Sequence, residues 1–252
     1  MIRLFVRAPL REGSEVTLEG DPAHYLTRVM RLGEGDEAWL FNGSDGEWSA
    51  RIVEVRKRAC RLRAEALVRV QSPPPDLELH MALVKRAPLE MIVEKATELG
   101  VNRIRLLRTE RTNADHTNLV RLAAIACEAA EQCGRLDVPE IIPAARLADR
   151  LATWDADRAL MFCDEAGDAP GAVAALLRRG HARWAVLVGP EGGFTPEERD
   201  SIRALPATTP VSLGSRVLRA ETAVIAALSI WQSTLGEGAG LEVGAALPQL
   251  RG

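Results

Sequence analysis

Two patterns of apolar and polar residues divide the chain. In its first third, short apolar runs alternate with polar positions and are separated by turn residues. Ile2–Arg7 reads as a strand. Asp21-Pro22 reads as an N-cap followed by proline at the first helical position, opening a short helix through His24, Tyr25, Arg28 and Arg31. Gly33, Gly35 and Asp36 end that helix. Strands follow at Glu37–Phe41, Glu47–Val55 and Cys60–Val70, with Asn42-Gly43 and Asp45-Gly46 as turn signals between the first two. The stretch Gln71-Ser72-Pro73-Pro74-Pro75-Asp76 fits neither a ladder nor a helix, because consecutive prolines lack the N–H groups that either needs. These residues predict a β-rich domain over residues 1–70 and a linker over 71–76.

Beyond the linker, compact apolar runs alternate with segments of helical spacing. Strands are predicted at Leu77–Leu83, Val101–Leu107, Ala159–Cys163, Trp184–Val188 and Thr208–Leu213. Helices are predicted at Pro88–Leu99, Asn118–Cys133 and Gly171–Arg179, each stopped by a glycine. Thr195-Pro196-Glu197-Glu198 is a capping box that starts another helix, and Glu221–Leu235 is a final amphipathic one. Strand–helix alternation of this kind predicts an α/β domain over residues 77–236, a mostly parallel sheet with helices on both faces. Residues 237–252, rich in glycine and alanine, read as a flexible tail.

Composition narrows the class. The chain has 252 residues, 47% of them hydrophobic and 27% charged, with no uninterrupted apolar run long enough for a membrane span. Its N-terminus lacks the pattern of a secretory signal. Cys60, Cys127, Cys133 and Cys163 form no CxxC pair and have no histidine cluster beside them, so no metal site is expected and a reducing cytoplasm fits. A net charge of −3 argues against an indiscriminate nucleic-acid binder. Arg56-Lys57-Arg58, with Arg61 and Arg63, nevertheless forms a local basic patch. It reads either as a phosphate contact or as a charged guard on a strand edge.

Two loops stand out. Gly189-Pro190-Glu191-Gly192-Gly193-Phe194 lies between an apolar strand and the capped helix, where ligands of open α/β sheets bind. It matches neither a phosphate loop nor a dinucleotide fingerprint, which speaks against a nicotinamide-dependent oxidoreductase. Leu213-Gly214-Ser215-Arg216-Val217-Leu218-Arg219-Ala220-Glu221-Thr222-Ala223 again links a strand to a helix. Glu221 suits a helix N-terminus, but Arg216 and Arg219 stand at the unfavourable end of the helix dipole, and a purely structural reading leaves them unexplained.

The ordered pair GPEGGF and LGxRxLRxETA resembles the signature of the RsmE family within the SPOUT superfamily. His24-x6-Arg31, Gly35-Asp36 and Phe41-Asn42-Gly43 resemble that family's small PUA-like β-barrel. Lys85, Lys95-Ala96-Thr97-Glu98-Leu99-Gly100-Val101, and Glu128, Glu131-Gln132 and Arg135 resemble parts of its catalytic domain. Ala87-Pro88, where a more polar pair is usual, and the tail are departures. The resemblance implies a trefoil-knotted SPOUT sheet and a homodimer with the cofactor pocket at the subunit interface. It also implies S-adenosyl-L-methionine as cofactor, and methylation of uridine N3 in 16S rRNA within the small ribosomal subunit. A SPOUT enzyme acting on another RNA and a non-catalytic RNA-binding assembly factor are the alternatives.

On that reading, Leu187, Val188, Gly189, Glu191, Gly192, Gly193, Leu213, Gly214, Val217 and Leu218 surround the cofactor, and Phe162 belongs to a third wall, Phe162-Cys163-Asp164-Glu165. Uridine N3 needs a proton acceptor and cations near its flanking carbonyls. Arg219 and Arg216 are the candidate cations, and Glu191 or Glu221 the candidate acceptor. His24, Tyr25, Arg28, Arg31 and Arg135 are the candidate RNA contacts.

Overall fold

The computed structural model describes residues 1–113, 117–178 and 183–236. They fall into two compact units: Met1–Pro73 with Ala130–Val138, and Pro74–Ala129 with the chain from Pro139 onward. The tail expected over 237–252 and the expected helix end at Arg179-Gly180 lie outside the described residues.

The N-terminal unit is a five-stranded sheet curled into a half-barrel. Its strands are β1 (Arg3–Phe5), β2 (Glu15–Glu19), β3 (Glu37–Phe41), β4 (Glu47–Val55) and β5 (Ala59–Arg69), in the order β1-β3-β4-β5-β2. Three register shifts between β4 and β5 supply bends in the sheet. One face packs Leu4, Val16, Leu18, Leu26, Leu40, Ile52 and Leu62 into a core. Glu47, without exposed surface, is held between Arg3 at 2.5 Å and Arg69 at 2.7 Å. The basic triplet Arg56–Arg58 is the β4–β5 turn, which removes the strand-edge reading of it.

The short helix differs from expectation. Its N-cap is Gly20, at φ 65°, a conformation that costs glycine little, and Asp21 is already helical. Helix α1 covers Asp21–His24 and passes into a π-helical turn at Tyr25–Val29. Arg31 then adopts φ 58°, the one non-glycine at positive φ among the described residues.

In the second unit six strands form one parallel sheet: β6 (Leu77–Ala82), β7 (Arg103–Arg108), β8 (Glu140–Arg146), β9 (Ala159–Cys163), β10 (Trp184–Val188) and β11 (Thr208–Val211). Their order is β11-β9-β10-β6-β7-β8. β6, β9 and β10 are buried along their whole length; β9 and β10 read as continuous apolar runs for that reason, whereas β6 buries Glu78 and His80 among its apolar residues. Helices α2 (Arg86–Glu98), α5 (Ala172–Leu176) and α7 (Ala220–Thr234) pack together, with α7 also against β10. Leu160, Phe162, Ala185 and Leu187 point the other way. They form a second core with Leu147 of α4 (Leu147–Ala152) and Ile202 of α6 (Pro196–Arg203). Helix α3 spans Leu119–Cys133. Sequence reading missed β2, β8 and α4. β8 is an edge strand that carries Pro143 within an irregular stretch of its pairing with β7, the kind of place where a sheet tolerates proline.

The N-terminal ends of these strands carry a buried charge network. Glu78, 1% exposed, accepts from Arg103 and Arg105 at 2.7 Å each. Arg158, 2% exposed, lies 3.4 Å from Glu78 and 2.8 Å from Asp76. His80 Nε2 is 3.0 Å from the same Glu78 carboxylate. An ionised carboxylate only accepts, so Nε2 of neutral His80 bears the hydrogen. Burial drives the His80 pKa down to about 4, and the charge on Arg150 adds to this, against the opposing hydrogen bond to Glu78. Burial alone would raise Glu78. Hydrogen bonds from His80, Arg105 and Arg103 and the charge on Arg158 outweigh it and hold the carboxyl far below the usual range.

Candidate functional site

At the opposite, C-terminal ends of β9, β10 and β11, three loops enclose a cavity of about 500 Å³. Open parallel sheets place ligands here because loop backbone, free of the ladder, meets helix N-termini.

The first wall is the glycine loop after β10. Gly193, at φ 68°, donates its N–H to Pro190 O at 2.9 Å and closes the turn. The positive φ disfavours a side chain at Gly193, and a Cβ there, 2.5 Å from Glu165 Oε1, would also displace that carboxylate. The Phe194 N–H donates to the same Oε1 at 2.9 Å, and Arg111 Nη1 donates to Gly192 O at 2.9 Å. Thr195 then caps α6: Thr195 Oγ1 accepts from the Glu198 N–H and Glu198 returns the bond to the Thr195 N–H, at 3.2 and 2.9 Å.

The second wall follows β11. The expected strand to Leu213 stops at Val211. Ser212 instead donates its N–H to Pro170 O at 2.8 Å, and Gly214 turns at φ 120°. Ser215, Arg216 and Val217 are exposed, and Arg219 is the N-cap of α7, without a side-chain capping bond.

The third wall is the end of β9. Cys163 is a buried thiol whose pKa is pushed up to about 12, chiefly by burial, so it remains neutral. Asp164, buried, is paired with Arg203 at 2.6 Å and Arg199 at 3.2 Å. Arg203 also reaches Asp168 at 2.6 Å; the hydrogen bonds it donates to Asp168 and Asp164 raise its pKa, and Arg203 lowers that of Asp168.

The candidate residues distribute unevenly. Val188, Gly189, Glu191, Gly193, Leu213, Gly214, Arg216, Val217 and Leu218 all line the cavity. Arg219 and Glu221 do not line it, although Leu218 and Ala220 on either side of Arg219 do. Leu187 and Phe162 lie in the core beneath, Phe162 with its ring 5.4 Å from that of Phe194. Strand alternation sends them to the α4–α6 side of the sheet. Gly192 does not line the cavity and faces Arg111.

In the N-terminal unit, His24 and Arg28 line a second cleft, of about 810 Å³, together with Arg56, Lys57 and Arg58. Tyr25 packs half-buried on that unit's core, and Arg31 is exposed. Arg135 is half-buried and paired with Asp137 at 2.5 Å. Arg111, Arg203 and the joining of the Arg56–Arg58 turn to α1 escaped sequence reading. Each depends on a contact between distant segments that has no local pattern. Among the described residues no group of three or more His, Cys, Asp and Glu is placed to hold a metal, and no helix is long and apolar enough to cross a membrane.

The RNA methyltransferase domain family matches residues 71–232, and the RNA methyltransferase PUA domain family matches 18–65. Ribosomal RNA small subunit methyltransferase E of Rickettsia conorii is 31% identical over 229 residues, covering 90% of this chain and 93% of its own. The protein of the same name from Synechocystis is 32% identical over 221 residues, covering 85% and 71%. The crystal structure of ribosomal RNA small subunit methyltransferase E from Neisseria gonorrhoeae, bound to S-adenosyl methionine, superposes with a TM-score of 0.81 at 25% identity, covering 92% and 97%.

Proposed function

Because the chain belongs to the RsmE family of RNA methyltransferases, we propose that it uses S-adenosylmethionine to methylate N3 of a uridine in bacterial 16S rRNA. The observation that carries this reading is the three-walled cavity, in which a glycine loop faces a loop bearing two arginines. The cavity suits the cofactor. Val188, Val211, Leu213 and Leu218 offer apolar surface to a flat ring, and the glycine positions leave backbone N–H and C=O groups open to its polar edge. Gly193, at positive φ and lining the cavity, presents backbone instead of a side chain to a ligand. The cofactor, when bound, supplies an electrophilic methyl group.

The chain's own residues then handle the nucleotide. Uracil N3 carries a proton between two carbonyls and attacks only as that proton leaves. Glu191 is the better-supported acceptor, since it is exposed and lines the cavity, whereas Glu221 is half-buried in the first turn of α7. Arg216 on the wall and Arg219 at the rim supply positive charge where the ring oxygens gain negative charge. The cleft shared by Arg28, Arg56, Lys57 and Arg58 supports a phosphate-binding role for the N-terminal domain, residues 1–70. The engaged guanidinium of Arg135 makes it the weakest of the candidate RNA contacts.

The same reading includes the trefoil knot and a homodimer. Val224, Leu228 and Trp231 of α7 are buried while Ile225, Ile230 and Leu235 remain half-buried, and Val217 beside the cavity is 90% exposed. Apolar surface of this kind supports a second copy against this face. Light scattering is expected to give twice the chain mass at micromolar concentration; a monomer that persists on raising the concentration removes the dimer.

The function is tested by nucleoside mass analysis after incubation with S-adenosylmethionine and, separately, assembled small subunits, free 16S rRNA and tRNA. Expected is N3-methyluridine in small-subunit rRNA. Methylated tRNA would mark a different SPOUT enzyme. Absence of calorimetric cofactor binding would leave an RNA-binding assembly factor. Cofactor binding is expected to be unchanged by a chelator.

A further inference from the structure

The glycine loop has a side that faces the cavity and a side that does not. Glu191 and Gly193 line the cavity, while Gly192 between them does not. Behind Gly192 stands Arg111, from the segment that follows β7. Its Nη1 donates to Gly192 O at 2.9 Å and lies 3.4 Å from Phe194 O. A Cβ built on Gly192 would meet the Arg111 Cβ at 3.3 Å, so the two segments lie close together as well as bond. On the other side Glu165 Oε1 takes the Phe194 N–H at 2.9 Å. The segment Gly192–Phe194 is thus gripped by a cation on its carbonyls and an anion on its next amide.

A second link fixes Arg111 itself. The Glu110 N–H donates to Glu198 Oε1 at 2.9 Å, and Glu198 is the residue that completes the capping box of α6. Thr109 and Thr112 hold the turn around Arg111 through a Thr109 N–H to Thr112 Oγ1 bond of 2.9 Å. The post-β7 segment therefore binds the glycine loop at its last residues and the following helix at its first turn. Nothing in the geometry needs this for the sheet, since β7 has already ended at Arg108.

We propose that Arg111 is a positioning residue for cofactor binding, which braces the glycine loop from behind in the shape that receives S-adenosylmethionine. Arg111 acts through the Gly192 carbonyl and does not touch the cofactor. The inference rests on the proposed function, because it presumes that the cavity is the cofactor site. Without the brace, the segment between Pro190 and Thr195 gains backbone freedom, and the cofactor must order it on binding.

The test compares wild type, Arg111→Met and Arg111→Lys. Met keeps the stem and loses every donor; Lys keeps one donor able to reach a carbonyl. Cofactor affinity by calorimetry, single-turnover methylation at saturating cofactor, RNA affinity and thermal midpoint are measured on all three. Arg111→Met is expected to weaken cofactor binding about tenfold or more, the scale of one charge-assisted hydrogen bond. Its rate at saturation is expected to stay within about threefold, with RNA affinity and thermal midpoint unchanged. Arg111→Lys is expected to recover most of the affinity. Unchanged cofactor affinity in Arg111→Met overturns the proposal, as does a loss confined to RNA affinity, which would make Arg111 an RNA contact. A fall in thermal midpoint that accounts for the lost affinity also overturns it, as a purely structural role. Should wild type itself bind no cofactor, the proposed function fails, which is a separate outcome from a variant that binds as well as wild type.

Discussion

Arg219→Ala is expected to slow single-turnover methylation by about 100-fold or more while leaving S-adenosylmethionine affinity within a few fold. Arg219 is the N-cap of α7, is exposed, and makes no side-chain capping bond. A cation at a helix N-terminus faces the positive end of the dipole, so the fold gains nothing electrostatic from it. The residues on either side of it line the cavity, and on the proposed function its guanidinium serves a substrate that enters there. On the proposed reaction, a group of this kind acts on charge that appears only as N3 loses its proton, and its removal is expected to fall on turnover and not on cofactor binding. The thermal midpoint of Arg219→Ala is expected to equal or slightly exceed that of wild type. Arg219→Lys is expected to recover only part of the rate, since a point charge does not reproduce a planar fork. A variant that folds normally and methylates at the wild-type rate removes Arg219 from the chemistry.

The largest effect on stability is expected at the other end of the sheet. Glu78→Ala removes the carboxylate that Arg103, Arg105, His80 and Arg158 share, and leaves buried Arg158 with Asp76 as its one ionic partner among the described residues. Breaking a buried ion network from one side costs about 3–5 kcal/mol. In a domain of this size that corresponds to a fall in thermal midpoint of roughly 10 °C. The same network sets the acid response. His80 is held down at about pH 4 against an ordinary 6.5, so the unfolded chain takes up its proton first and stability falls as pH drops from 6.5 toward 4. The Glu78 carboxyl is also depressed. Its contribution is complete above the ordinary carboxylate pKa of 4.5 and is lost as pH falls below that value. Thermal midpoints between pH 7 and 4 are expected to decline in wild type, and more gently in His80→Gln. An equal slope in both proteins would remove His80 as the source.

The sequence exposed the parallel sheet because its central strands carry their signal locally. Ala159–Cys163 and Trp184–Val188 are buried on both faces, so every residue in them is constrained to be apolar, and both strands appear with the expected limits. The capping box at Thr195 was equally legible, since its partners are three residues apart. β8 was hidden by its exposure: an edge strand with mostly half-buried and exposed positions and an internal proline has no such constraint. β2 was a missed opportunity, because Val16 and Leu18 alternate with Glu15, Thr17 and Glu19 as a half-buried strand should. At the site, the loop residues were legible from glycine and charge placed at strand ends. Which of them face the cavity was not. Leu187 and Val188 are neighbours of the same chemistry, and only the orientation of the strand sends one into the core and the other to the cavity.

The strand order has a consequence for how the chain is made. β6 pairs on one side with β7, a short distance along the chain, but on the other with β10, where Leu77 meets Trp184. A ribosome releases the chain from the N-terminus at about 5–20 residues per second, so Leu77–Ala82 emerges several seconds before Trp184–Val188 exists to cover it. During that interval a strand destined for burial on every side has one edge open, with nothing yet made that fits it. The five strands of the N-terminal sheet all lie before Gln71 and face no such wait. The nascent protein thus passes through a stage with one sheet closable and the other not. It is at that stage, before β10 is made, that the chain is most exposed to aggregation.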